Sequence, residues 1–103
     1  MDAQLKKGIL EMCVLYQLRE QEKYGYEIMK QITVVFPDVY DGSIYSILRR
    51  LNSEGYTEAY MKDVPSGGPS RKYYRITDSG ISYLDETIME WHNLMKRVKT
   101  LGI

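Results

Sequence analysis

One stretch of the chain, residues 41–55, predicts a helix with one buried side and one exposed side. Ile44, Ile47, Leu48 and Leu51 recur at i, i+3, i+4 and i+7, so their side chains share one helical face. Four branched apolar side chains on a single stripe must be covered by other parts of the protein. The stretch therefore requires a packed core around it, and this requirement limits the fold more than any other feature of the sequence.

The other side of the predicted helix carries hydroxyl groups and arginine. An arginine fork can bond the edge of a guanine base with two hydrogen bonds, and it can also neutralise phosphate. Arginine pairs are also common on helices that only face solvent. Taken alone, this face leaves DNA contact and ordinary solvation equally open. The residues on this side are Ser46, Arg49, Arg50 and Ser53, with Tyr45 at the flank.

The residues after this helix predict a β-hairpin. Gly55 stands where a glycine ends a helix, and residues 56–63 are rich in aromatic side chains, as strands are. Residues 65–70 contain two prolines and two glycines and predict a turn, and residues 71–77 predict the returning strand. Between residues 67 and 75 there are three cations and no acid. An arginine-bearing helix followed by a hairpin with a basic tip is typical of a winged helix-turn-helix.

Three sequence patterns carry a resemblance to a known family. They are G-S-I-Y-S-I-L-R-R-L-N-S-E-G at residues 42–55, G-P-S-R-K-Y-Y-R-I-T-D-S-G at residues 68–80, and Y-G-Y-E-I at residues 24–28. With these patterns the chain resembles the PadR family of transcriptional regulators over nearly its whole length. One difference is that Tyr40 and Asp41 stand where many members have Ser-Pro before the first glycine of the helix.

The resemblance implies a fold and a set of DNA-binding residues. The expected class is α+β, mostly α, with a two-stranded wing and a long C-terminal dimerisation helix. Residues 1–77 would form the winged helix-turn-helix domain and residues 78–103 the dimerisation helix. In the family the helix reads DNA and the hairpin is the wing. The implied contacts to double-stranded DNA are Ser43, Tyr45, Ser46, Arg49 and Arg50 on the helix, and Gly68, Ser70, Arg71 and Lys72 on the wing.

The C-terminal residues predict a helix that packs against another helix. Thr77 can cap its N-terminus, where the helix dipole favours the Asp78 carboxylate. Its apolar residues are spaced alternately by three and four, which is a heptad repeat typical of coiled coils. They are Ile81, Leu84, Ile88, Trp91, Met95 and Val98. Since the winged-helix core should be complete without this helix, we expect its partner in a second subunit and predict a two-fold homodimer.

Two further helices are predicted before residue 41. The first starts near Leu5 and is apolar on most sides, so it should lie between the core and a partner subunit. Cys13 falls within its apolar face and is expected to be a small buried hydrophobe rather than a reactive thiol. Residues 19–23 read as a charged connector, and residues 24–35 as the second helix. Tyr26 is expected in the core.

Trp91 allows two interpretations. The simpler one is core packing. In a two-fold dimer, however, the ring would lie near its own copy and could leave a flat apolar slot, where planar aromatic molecules bind by stacking. Some PadR-like regulators resemble this arrangement, so the resemblance implies a planar aromatic effector. The residues expected at this slot are Leu5, Met12, Ile88 and Trp91.

Composition excludes several classes of function. Lysine plus arginine equals aspartate plus glutamate, 14 each, so DNA binding must rely on a local basic patch. One cysteine and one histidine make an intrachain disulfide or a zinc site implausible, and His92 has no serine or cysteine at a spacing that pairs with it. We expect no enzyme activity and no cofactor.

No apolar run approaches the roughly 20 residues of a membrane span, so we expect a cytoplasmic protein.

The sequence therefore predicts a DNA-binding regulator. It should be a repressor that binds an inverted-repeat operator as a homodimer and that a small aromatic ligand could release. The alternative is a winged-helix module that binds a protein and no DNA. Such modules tend to have apolar or acidic reading helices. Arg49, Arg50, Arg71 and Lys72 favour the regulator.

Overall fold

The computed structural model describes residues 3–103, with side chains described from Leu5 onward. The elements are helices α1 (Ala3–Glu20), α2 (Gly25–Val35), α3 (Asp41–Ser53) and α4 (Asp78–Thr100), and strands β1 (Lys23–Tyr24), β2 (Thr57–Lys62) and β3 (Arg71–Ile76). The chain is mostly helical with a small antiparallel sheet, so the predicted winged helix-turn-helix fold is confirmed. No helix of residues 3–103 is both long and apolar enough to cross a membrane.

The sheet has three strands in the order β1-β3-β2. Strands β2 and β3 form the predicted wing, in register from Thr57 opposite Ile76 to Lys62 opposite Arg71. Strand β1 pairs with the other edge of β3 through Lys23 and Tyr24. The expectation of a charged connector at residues 19–23, followed by a helix from Tyr24, missed this strand, because two residues are too few to show a strand's alternating pattern.

The core is built around the predicted stripe of α3. Ile44, Leu48 and Leu51 are fully buried, and Ile47 is only 4% exposed. Each such side chain contributes about 2 kcal/mol when removed from water. The stripe packs in one cluster with apolar side chains of α1 and α2. These are mainly Leu10, Val14, Leu15, Leu18, Ile28, Met29 and Ile32.

A glycine turn ends α3 and directs the chain into the wing. Gly55 has φ +80°, a conformation that suits glycine because a Cβ would be strained there. The Gly55 amide donates to the Asn52 carbonyl (3.1 Å) and the Tyr56 amide to the Leu51 carbonyl (3.0 Å). These two hydrogen bonds satisfy carbonyl groups at the C-terminal end of the helix. The predicted helix-ending glycine is confirmed.

Helix α4 begins in the core and ends at the surface. As predicted, Thr77 caps it, since its hydroxyl accepts a hydrogen bond from the Gly80 amide at 3.1 Å. Leu84 is fully buried in the core cluster, so the expectation that the core is complete without this helix was wrong for its first turns. Further along, Met89 and Leu94 are exposed. The domain division at residue 77 stays a prediction, and residues 1 and 2 lie outside the described residues.

We predict that Gly80→Ala strongly destabilises the fold. A Cβ at Gly80 would lie 2.1 Å from the Tyr56 carbonyl oxygen and 2.8 Å from Ile76 Cγ1. Since that carbonyl accepts the Thr77 amide, it cannot move freely, and the free energy of unfolding in urea should fall by about 3 kcal/mol. Gly42→Ala is the control, because its Cβ would meet nothing within 4 Å. Equal unfolding midpoints for the two variants would contradict this packing.

Candidate nucleic-acid interface

The exposed side of α3 presents Arg49 among small side chains. Ser43, Ser46 and Arg49 are all exposed, while the opposite face of the helix is buried. Arg49 Nη2 donates a hydrogen bond to Ser46 Oγ at 3.1 Å, which holds the guanidinium along the helix surface. The other guanidinium donors remain available to a ligand. This stripe can therefore donate hydrogen bonds to base edges or to phosphate oxygens.

Arg50 points in a different direction from Arg49. Its Nε and Nη2 donate to the two carboxylate oxygens of Glu11, at 2.6 and 2.5 Å. The Glu11 side chain is only 7% exposed and that of Arg50 33%. The hydrogen bond to Glu11 raises the pKa of Arg50 far above its usual range. Arg50 therefore ties α3 to α1, and the outward stripe depends on Arg49.

Sequence reasoning did not identify Glu11 as part of this region. One signal was present, because Glu11 is the acid in an otherwise apolar run, residues 9–16 of α1. A carboxylate within an apolar helix needs a cationic or hydrogen-bonding partner. The partner lies 39 residues away in sequence. Only the packing of α1 against α3 therefore shows which arginine pairs with Glu11.

Tyr45 lies at the flank of α3 and is partly buried. A Cβ at Gly25 would lie 3.1 Å from Tyr45 Cε1, so the glycine permits the close approach of α2 to this ring. Burial raises the pKa of the Tyr45 phenol, and the Asp41 carboxylate adds to the shift. The phenol therefore stays protonated and can donate a hydrogen bond. Tyr45 forms a wall beside the exposed stripe.

A concave surface separates α3 from the wing, and we call it the wing trough. It encloses about 550 Å³. The Arg71 guanidinium lies 4.5 Å from the centre of the Tyr24 ring, and Lys72 Nζ lies 5.8 Å from that of Tyr74. Such phenols and cations can hold a phosphate group together. The lining residues are Tyr24, Gly25, Tyr26, Tyr45, Arg71, Lys72 and Tyr74.

Tyr26 is placed differently from the sequence-based expectation. The side chain is 50% exposed at the wing trough, so the prediction that it lies in the core was wrong. Its ring stacks near that of Tyr24, with 6.3 Å between centroids, and Lys30 Nζ lies 5.5 Å from its centre. The Y-G-Y pattern alone does not show whether Tyr26 faces the core or the surface. Residues close together on a helix face different directions, so the answer depends on how α2 packs.

The tip of the wing is exposed. Gly68, Ser70, Arg71 and Lys72 all lie at the surface. The Ser70 hydroxyl donates to the Asp63 carboxylate at 2.5 Å, which joins the two ends of the tip. The predicted wing residues thus lie together on the side of the trough opposite α3.

The four residues expected at an aromatic slot lie together between α1 and α4. One groove of about 210 Å³ includes Leu5, Met12 and Trp91. A second groove of about 280 Å³ includes Met12, Ile88 and Trp91. The partly buried indole of Trp91 therefore has a concave apolar surface on both sides.

Cys13 lies beside the second groove and is half-buried. Burial raises the pKa of its thiol, so the sulfur stays protonated and unreactive at neutral pH. Among the residues that the structure describes, no three histidine, cysteine, aspartate or glutamate side chains come together in a way that could hold a metal ion.

The reading helix, the wing and the remaining helices match a known family of regulators. The model of the transcriptional regulator PadR-like family matches residues 14–86. The chain belongs to this family. An uncharacterised protein of Lysinibacillus sphaericus is 39% identical to it over 88 residues, which cover 82% of this chain and 80% of that protein.

Solved structures of PadR-like regulators share the fold. The PadR-like transcriptional regulator of Bacillus cereus is 39% identical, with a TM-score of 0.84 over 96% of both chains. A Streptococcus transcriptional regulator is 30% identical, with a TM-score of 0.88 over 99% of this chain and 100% of the other. PadR family members are DNA-binding transcriptional regulators and not enzymes. The predicted class of function is therefore confirmed.

We predict that the Glu11–Arg50 pair contributes more to stability than an exposed pair does. Glu11→Gln would leave the partly buried Arg50 charge with only the longer contact to the exposed Glu54 carboxylate, 3.8 Å from Nη1, and the free energy of unfolding should fall by about 2 kcal/mol. The matched control is Asp85→Asn, because Asp85 pairs with Arg19 at 2.8 Å while both side chains are exposed. That change should cost less than about 1 kcal/mol.

The double variant Glu11→Leu with Arg50→Met separates charge from packing. An apolar pair of similar volume should recover most of the stability that Glu11→Gln loses. Urea denaturation measures all three variants. If Glu11→Gln and Asp85→Asn had the same effect, Arg50 would not depend on its buried partner.

Proposed function

We propose that this PadR-like protein is a homodimeric repressor that places α3 in the major groove of an inverted-repeat operator. One observation carries the proposal: Tyr45, at the flank of the exposed stripe of α3 with Arg49, also lines the cationic wing trough, so the stripe and the trough adjoin. A duplex that receives α3 in its major groove brings a phosphate chain past that trough. The helix and the wing would thus contact one duplex together.

In this proposal Arg49 is the main contact to base edges. Its guanidinium has donors beyond the one given to Ser46, and two parallel hydrogen bonds to guanine require such a fork. Ser43, Ser46 and the Tyr45 phenol lie around it and supply shorter hydrogen bonds. Arg50 holds α3 on α1 through Glu11, so we assign it a positioning role instead of a share in the base contacts.

The wing residues would bind the sugar-phosphate backbone. Arg71 and Lys72 add affinity that depends little on sequence, since phosphate is the same at every base pair. Gly68 and Ser70 at the tip would lie close to the neighbouring backbone or minor groove. The Asp63 carboxylate bonded to Ser70 keeps the tip closed.

A homodimer is supported by apolar side chains that stay at the surface of α4 and α1. Met89, Leu94, Met95 and Val98 of α4 are exposed, and so is Leu5 of α1. A run of exposed apolar side chains on neighbouring helices is typical of an association surface. A two-fold dimer formed there would present two α3 helices to one side of a duplex, with half-sites about one helical turn apart.

We further propose that a planar aromatic effector binds near Trp91. The grooves on both sides of the indole are apolar, and in a dimer they would be enclosed by the partner's helices. A flat ring inserted there stacks on Trp91. Because α1 also holds α3 through the Glu11–Arg50 bond, a ligand that shifts α1 changes the spacing of the two reading helices and releases the operator.

We predict that Arg49→Ala and Arg71→Ala weaken DNA binding in different ways. Arg49→Ala should cost about 1–3 kcal/mol on the operator and relax its sequence preference. Arg71→Ala should weaken binding to all sequences and reduce the salt dependence of log K by about one unit per subunit. Fluorescence anisotropy with the DNA upstream of the gene, over a series of salt concentrations, measures both.

Arg19→Ala is the matched control for these variants. Arg19 is an exposed arginine paired with Asp85 of α4, and it belongs neither to the exposed stripe of α3 nor to the lining of the wing trough. Its binding curve should overlay that of the parent protein. An Arg71→Ala slope equal to the parent's would remove the wing from the interface, and unchanged operator preference in Arg49→Ala would remove the reading helix.

We predict that Met95→Asp separates the dimer and removes effector binding. The parent should sediment at twice the 12.1 kDa chain mass, whereas a carboxylate on the apolar face of α4 should give a monomer. A planar dye should quench Trp91 fluorescence saturably in the parent and not in this variant. Asp85→Asn is the control, because Asp85 lies on the core half of α4. A parent that is monomeric, or that shows no saturable quenching, would contradict the dimer or the effector respectively.

A further inference from the structure

A helix in the major groove has a phosphate chain on each side, because both strands border the groove. The wing trough can contact the phosphate chain on only one side of α3, the side on which Tyr45 lies. Ser43 and Arg50 are seven residues apart, so they share the other side of α3. That side faces the start of α1 and the connector between α2 and α3.

A second concave surface lies on this other side of α3, and we call it the α1 trough. It encloses about 420 Å³ between the first turns of α1, the connector and α3. It includes Ser46, which also belongs to the exposed stripe with Arg49, so the trough adjoins that stripe. The polar groups at its rim are Lys6, Lys7, Asp38, Tyr40, Ser43 and Ser46.

The charges around the α1 trough favour an anion at Lys7. Lys7 is exposed and forms no ion pair with any side chain described from Leu5 onward. Lys6 Nζ donates to Asp38 Oδ2 at 2.8 Å, so its charge is partly satisfied. Arg50, deeper in the trough, is neutralised by Glu11. Tyr40 is 81% exposed and can offer its hydroxyl to the same anion.

We propose that the α1 trough is a second DNA-phosphate site, which holds the strand across the major groove from the strand held by the wing. Lys7 makes the main contact, and the Tyr40 and Ser43 hydroxyls complete it. This inference rests on the proposed function, because it requires α3 to lie in the major groove. It adds α1 to the DNA-binding elements.

Asp38 limits the strength of this phosphate site. The hydrogen bond from Lys6 lowers the pKa of Asp38, so the carboxylate is ionised at neutral pH. It both occupies Lys6 and repels an approaching phosphate. Removing the carboxylate charge should therefore strengthen DNA binding, which is an unusual outcome for a change at an ion pair.

The test measures affinity for a mixed-sequence duplex, long enough for a dimer, by fluorescence anisotropy over a series of salt concentrations. Lys7→Ala should weaken binding about three- to tenfold at low salt and reduce the salt slope by about one unit per subunit. Asp38→Asn should tighten binding and steepen the slope, because Lys6 becomes free. Arg19→Ala is the charge-matched control, and thermal unfolding confirms that each variant is folded.

The outcomes separate this inference from the proposed function. If Arg71→Ala reduces the slope while Lys7→Ala and Asp38→Asn leave it unchanged, the α1 trough is not a phosphate site and the proposed function stands. A parent protein that binds no duplex overturns both.

Ethylation interference on an operator selected from random DNA gives a second readout. Each phosphate that the protein contacts becomes sensitive to ethylation. Lys7→Ala should lose interference at phosphates of one strand, and Arg71→Ala at phosphates of the opposite strand across the same groove. Loss on the same strand in both variants would contradict the two-sided arrangement.

Discussion

Burial of the apolar stripe of α3 is the constraint on which the rest of the molecule depends. Ile44, Leu48 and Leu51 are fully inside, between α1 and α2, and this fixes the rotation of the helix about its axis. Once that rotation is fixed, Arg49 must point outward. The interaction that stabilises the fold thus also decides which side chains a DNA duplex can meet.

The Glu11–Arg50 bond adds a second constraint of a different kind. Apolar packing sets which side of α3 is buried, but it tolerates small shifts along the helix. Two hydrogen bonds between a fork and a carboxylate specify position and direction as well. Because α1 carries Glu11 on one side and the Trp91 grooves on another, this bond connects the proposed effector site with the proposed reading surface.

Local arrangement of charge explains how a chain with no net charge can bind a polyanion. Acidic side chains hold cations in place near the interface, as Asp38 does with Lys6 and Glu11 does with Arg50. Arg49 and Lys7 stay exposed, with no ion pair to any side chain described from Leu5 onward. Affinity would then come from a few positioned charges instead of an overall positive charge of the protein.

The sequence by itself determined the features whose causes lie close together in the chain. Periodicity placed α3 and its buried stripe, Gly55 marked the helix end, and Thr77 marked the start of α4. The basic hairpin was equally evident, since its turn and strands are continuous in sequence. For this reason the elements of the fold followed from local patterns, and the resemblance to the PadR family then indicated which of their residues form the candidate interface.

Only the tertiary structure decided the features that join distant residues. These are the pairing of β1 with β3, the burial of Leu84, the exposure of Tyr26 and the bond between Glu11 and Arg50. A long arginine side chain can reach either flank of its helix, and the stripe of α3 alone does not show that Arg50 pairs with a residue of another helix. The Glu11 carboxylate lies on that other helix, so its effect exists only after α1 and α3 have packed.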